Sequence, residues 1–172
     1  MRILLFILTA LIFAGSASAG QNDRVQLRVS GFVAPKCDVK IAQTSHKLEL
    51  ETKVSSTARI PLDINCNTPF KVNLEAQNGR LKLQDKTGRQ HRLVPTSVPY
   101  EARLRLPVRS PKPRIIRRNF KGENLVSGRS VSTGNGISAG RAQLVLKTIP
   151  QPRRFYAAGT YKEVIKVSVT PL

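Results

Sequence analysis

The side chains that could do covalent or metal chemistry are few and scattered. Cys37, Cys66, His46 and His91 are the only cysteines and histidines in 172 residues, and 10 acids face 29 lysines and arginines. A tetrahedral zinc site of Cys and His ligands would consume all four cysteines and histidines. Neither cysteine lies in a Cys-x-x-Cys motif, the spacing that lowers a thiol pKa for redox exchange. His46 and His91 have no adjacent acid in a recognisable hydrolase arrangement, and no phosphate-binding glycine loop is present. Asp63 and Glu75 fall in alternating segments, where a solvated strand face accounts for them. These residues argue against an enzyme and predict neither cofactor nor metal.

Charge is the other chemical resource. The formal net charge is +19, which predicts attraction to polyanions. It concentrates in Arg103, Arg105, Arg109, Lys112, Arg114, Arg117, Arg118 and Lys121, a stretch without a single acid. Pro107, Pro111 and Pro113 punctuate it, so residues 107–114 read as a loop or strand crossing rather than a central strand. Two readings stand for this cluster: a solvated basic loop, or a polyanion-binding surface helped by Arg153 and Arg154 if the fold brings them near. Tyr100 and Phe120 only flank it. Without interleaved aromatics, the case for single-stranded nucleic acid is weak.

The N-terminus indicates the compartment. Arg2 forms a short positive region, residues 3–13 (ILLFILTALIF) are apolar, and Ala17-Ser18-Ala19 is a small-x-small cleavage site. The apolar run is shorter than the ~20 residues of a spanning helix. Residues 1–19 are therefore expected to be a cleaved signal peptide, and the mature chain to be exported without a membrane span. In an oxidising compartment Cys37 and Cys66 most simply form one disulfide, worth ~3–4 kcal/mol on the chain-entropy model.

The elements that must position these residues are strands. Val25, Leu27 and Val29 alternate with polar residues, as do segments 71–76, 80–83 and 103–106; segment 143–147 does so less cleanly. Near the C-terminus Tyr161, Ile165, Val167 and Val169 share one parity, and Glu163 and Val164 break it, as if that strand were partly covered on both faces. Asn78-Gly79, Thr87-Gly88, Gly134-Asn135-Gly136, Ala139-Gly140 and Ala158-Gly159 read as turns. Many short strands between frequent turns predict one all-β domain, a sandwich or barrel.

Particular residues also resemble a family. The run Cys66-Asn67-Thr68-Pro69-Phe70-Lys71-Val72-Asn73-Leu74 resembles the cysteine-then-strand motif of spore coat protein U domains, secreted pilin-like domains of the archaic (Csu-type) chaperone–usher pathway. Residues 158–170 are similar to that family's closing strand, where Gly-x-Tyr-x-Asp leads into alternating valines; here Glu163 replaces the Asp. Lys36-Cys37-Asp38-Val39 and Leu146-Lys147-Thr148-Ile149-Pro150 add weaker similarity. The chain departs at Leu48-Glu49-Leu50-Glu51, where many members have Leu-x-Phe-Gly, and at Pro171-Leu172, where an aromatic is usual.

The resemblance implies an immunoglobulin-like sandwich over residues 34–172 that lacks its last strand. It implies a structural subunit of a surface fibre (pilus), with a periplasmic chaperone, an outer-membrane usher and other pilin subunits as partners. Tyr161, Ile165, Val167 and Val169 would line the acceptor groove. Val25, Leu27 and Val29, within residues 20–33, would be donor side chains, unless this segment is simply the domain's first strand. The alternative to a fibre subunit is a secreted basic adhesin or matrix protein that binds an anionic glycan or another polyanion through residues 103–121.

Overall fold

Alternating side chains become paired strands wherever a neighbour can cover the apolar parity. The computed structural model describes residues 25–84 and 94–172. Residues 34–172 form one unit by their internal packing. Its elements are β1 (Cys37–Ile41), β2 (Thr57–Cys66), β3 (Phe70–Ala76), β4 (Leu81–Leu83), β5 (Ser97–Val98), β6 (Tyr100–Val108), β7 (Arg114–Lys121), the single-turn α1 (Gly122–Leu125), β8 (Arg129–Ser132), β9 (Ser138–Thr148), β10 (Tyr161–Lys162) and β11 (Ile165–Pro171). The predicted signal peptide (1–19), residues 20–24, Thr87-Gly88 and His91 lie outside the described residues.

The fold is an all-β sandwich of antiparallel sheets. One layer has strand order β1-β2-β9-β6-β7; the other comprises β11-β3-β8 and β10-β4-β5. Burial follows the period of two: β6 reads Tyr100, Ala102, Leu104, Leu106 and Val108 inward, with Glu101, Arg103 and Arg105 in solvent. Leu62, Ile64 and Leu144 join them from the same layer, while Phe70, Val72 and Leu74 face them from β3. Each such side chain contributes roughly 1.5–3 kcal/mol through removal of apolar surface from water.

The predicted disulfide is present. Cys37 and Cys66 stand directly opposite each other at the start of the β1–β2 ladder and are bonded. Beside it, the Asn67 side chain donates to the Ala34 carbonyl at 2.9 Å and accepts from the Lys36 N–H at 2.6 Å. These contacts tie the entry of β1 to the end of β2. β1 is short and lies at a sheet edge, so the covalent bond anchors an element with little else to hold it.

Several sequence expectations need correction. Val25, Leu27 and Val29 alternate, yet residues 25–36 carry no regular secondary structure, and all three side chains are exposed. Alternation makes a strand only where a ladder partner exists. The proline-rich stretch is shorter as a loop than expected: β6 runs through Val108 and β7 starts at Arg114, leaving residues 109–113 as the turn. Pro107 is tolerated because β9 pairs with β6 only from Tyr100 to Arg105, so no central ladder needs its missing N–H. Ala139-Gly140 is no turn but part of β9, opposite Asn65 and Ile64.

Asn78-Gly79 does not close a hairpin either. β3 pairs with β11 and β4 with β10, so the chain continues past the same C-terminal neighbour after an interruption. Glu163 and Val164 lie opposite this interruption, which explains their broken alternation. The closing strand is divided there, and Lys166, Ser168 and Thr170 remain exposed rather than covered. Gly79 has φ +70°, and α1 packs so closely that a Cβ on Gly122 would collide with the Gly79 carbonyl oxygen and sit 2.7 Å from the Tyr100 ring.

Replacing both cysteines by alanine is expected to destabilise the domain by ~2–4 kcal/mol. Urea unfolding monitored by circular dichroism checks this; a loss below ~1 kcal/mol would mean that the β1–β2 ladder holds itself.

Candidate functional site

The inner layer is uncovered along one flank. β1 ends the five-stranded sheet, β11 ends the facing sheet, and the two strands lie beside each other. β1 pairs with β2 only from Ile41↔Leu62 to Cys37↔Cys66, whereas β2 runs back to Thr57. Residues 57–61 are thus laddered to β9 alone, and β11 to β3 alone. Between these half-paired strands opens a groove of about 520 Å³. Ile41, Ile60, Leu62, Leu144 and Leu146 line its five-stranded side, Leu81, Tyr161, Ile165 and Val167 line the other, and Gln43, Thr44, Ser45, His46 and Leu48 of the segment after β1 complete the lining.

The walls show what is missing. Along β11 the inward parity is only half-buried, in contrast to β3, where the same parity is fully covered. A row of half-buried aliphatics beside unpaired backbone has one obvious complement, an extended chain with apolar side chains at alternate positions. Of the predicted groove residues, Tyr161, Ile165 and Val167 line it. Val169 does not; it packs against the core further along β11. The Tyr161 hydroxyl donates toward the carbonyls of Ala157 (2.9 Å) and Pro95 (3.2 Å), which fixes its ring at the groove wall.

Among the polar residues that line the groove, Glu163 has a role that alternation alone did not reveal. Glu163 Oε1 accepts from the backbone N–H groups of Val164 (2.9 Å) and Asn78 (3.0 Å), and so satisfies both sides of the strand interruption. Its second oxygen, Oε2, is buried without a partner, as is the Tyr100 hydroxyl. Both residues line the groove. Burial, and then the Glu163 carboxylate, push the Tyr100 phenol up from its usual value. The signal available in sequence was the break in alternation at Glu163 itself, which marks a place where a side chain must replace a ladder bond.

The basic stretch is divided by the sheet rather than gathered into one loop. Arg103, Arg105, Arg117 and Lys121 share the outer face of the five-stranded sheet. Arg114 and Arg118 take the opposite parity at the edge, with Arg114 donating to the Thr133 carbonyl at 2.9 Å. Arg109 and Lys112 belong to the turn. Arg153 and Arg154 follow β9, whose last residue, Thr148, is opposite Tyr100, so they lie at the end of β6 remote from that turn. Among the described residues no cluster of acids, cysteines and histidines is spaced to hold a metal ion.

No protein-family model matches the chain, and no curated protein matches it significantly.

Two variants separate the roles of Glu163. Glu163→Ala leaves two backbone N–H groups without their acceptor and is expected to cost about 1–2 kcal/mol, while Glu163→Gln retains an acceptor oxygen and costs less. Equal losses in chemical denaturation would contradict the bridging role. The raised Tyr100 phenol has a pH consequence. Its neutral form is favoured by folding, so this contribution is complete below the unfolded phenol value of about 10 and is lost as pH rises through the higher folded value. Tyr100→Phe should therefore flatten the alkaline fall in stability; an unchanged alkaline limb would contradict it.

Proposed function

We propose that this chain is a non-enzymatic structural subunit whose open flank is completed by a strand from another chain. The observation that carries the proposal is the groove between β11 and the singly paired residues 57–61 of β2. In such a complex, main-chain hydrogen bonds to β11 supply affinity, and the pockets between Ile60, Leu144, Ile165 and Val167 select alternate apolar side chains. Residues 25–33 have the chemistry of the donor. Val25, Leu27 and Val29 alternate and are 92%, 83% and 85% exposed, and Phe32 and Val33 are exposed as well.

The resemblance to spore coat protein U domains supplies the biological frame of this reading. The subunit would be exported by residues 1–19, held first by a periplasmic chaperone strand, passed through an outer-membrane usher and built into a surface fibre. The energetic logic is the same at each step. A groove of this kind is an aggregation hazard while open, and each occupant covers both its apolar wall and its unpaired backbone.

The test uses the full mature chain, residues 20–172, and a synthetic peptide of residues 20–33. The peptide should bind and raise the unfolding midpoint, by mass action of a ligand that binds only the folded state. A peptide carrying Leu27→Asp should not, and Val167→Arg in the subunit should abolish the gain. Deleting residues 20–33 should prevent polymerisation while leaving the subunit able to accept the peptide. A chain that stays monomeric, gains nothing from the peptide and gains nothing from co-expressed chaperone would overturn the proposal.

A further inference from the structure

A second surface lies on the other side of the five-stranded sheet and owes nothing to the groove. Register places Arg59, Val145, Arg103 and Asn119 in one cross-strand row over β2, β9, β6 and β7. Pro61, Gln143, Arg105 and Arg117 form the next row. Rows on one face of a strand are about 6.8 Å apart and neighbouring strands about 4.8 Å apart, so the four arginines form one flat array. All four are exposed, and none of them is ion-paired among the described residues. Arg59 was not legible as a member, because it is 44 positions from Arg103 in sequence and is brought in only by β9.

Two details show that the array is more than scattered solvation. Arg105 and Arg117 stand directly opposite each other, a like-charge pair that costs stability in a ladder unless an anion lies between or above the two. Arg103 Nε donates to Asn119 Oδ1 at 3.0 Å, which orients its guanidinium across the face. The acids that share this face each have a basic neighbour of their own: Asp38 contacts Lys36 at 3.4 Å, Asp63 contacts Arg141 at 3.7 Å, and Glu101 is flanked in register by Lys121 and Lys147.

We propose that this outer face binds a linear anionic polysaccharide, with Arg59, Arg103, Arg105 and Arg117 contacting its carboxylate or sulfate groups. Guanidinium forks bind carboxylate and sulfate oxygens in pairs, and an extended polymer can present an acidic group to each row in turn. Nucleic acid fits the same charge less well. The residues that face outward here, including Val145, Gln143 and Ile115, offer no aromatic platform for unpaired bases. A sheet several strands wide is also too broad for a duplex groove, which admits a helix or a two-stranded ribbon.

The experiment uses the full mature chain with immobilised heparin, soluble polygalacturonate and a duplex DNA oligonucleotide. The quadruple variant R59S/R103S/R105S/R117S should bind both polysaccharides about tenfold more weakly, and wild-type binding should weaken with salt. A control variant, K71S/K82S/R129S/K166S, removes the same formal charge from the facing layer and should change affinity less than about twofold, since exposed charges more than a Debye length away are screened. Retention of the disulfide and of the far-ultraviolet spectrum shows that each variant is folded. Equal losses in the two variants would reduce the effect to net charge and overturn the proposal, as would no loss in either. Duplex DNA bound as tightly as the polysaccharides, through the same arginines, would overturn the assignment of partner.

Discussion

A strand is fully satisfied only when both its backbone edges are paired and its inward side chains are covered, and this sandwich leaves that requirement unmet along one flank. β1 stops at Ile41 while β2 continues to Thr57, and β11 has β3 on one side only. The disulfide between Cys37 and Cys66 keeps β1 in register at the far end. Glu163 holds the interruption between β10 and β11 by accepting from both chains that meet there. Those two fastenings bracket the groove. They let the domain keep a folded edge where a complete sandwich would have another strand.

The same sheet separates two kinds of chemistry by parity. Inward residues of β2 and β9, such as Ile60 and Leu144, form the groove wall, while their sequence neighbours Arg59 and Gln143 face out. Period two thus lets one strand serve an apolar inner surface and a cationic outer one without conflict. It also means that events in the groove and at the outer face are chemically independent, since the first depends on apolar fit and backbone pairing and the second on exposed, salt-screened charge.

Much of the fold was legible because its signal is local. Alternation in 71–76, 103–106 and 165–169 marked β3, β6 and β11, and a pair of cysteines, read with the expectation of export, marked the disulfide. Where the outcome depends on a partner distant in sequence, local pattern fails. Residues 25–29 alternate as well as any strand but have no ladder. Asn78-Gly79 looks like a hairpin turn, yet it interrupts two strands that share a C-terminal neighbour. The site was only partly legible for the same reason. Tyr161, Ile165 and Val167 were readable from one parity, but Ile41, Ile60, Leu144 and Leu146 come from strands that only the folded topology assembles around the groove. The basic stretch was visible as composition, and its division between two parities and a turn needed the β6–β7 register.

The central claim is that the free edge of β11 is the place where another chain adds a strand. Amide hydrogen exchange, resolved at residues 165–170, compares residues 20–172 kept monomeric with the same polypeptide after assembly. The account predicts that amides of β11 directed away from β3 exchange rapidly in the monomer and become protected on assembly, together with the amides within residues 57–60 that point away from β9. Assembly that leaves exchange along β11 unchanged, with new protection only elsewhere on the domain, would contradict it.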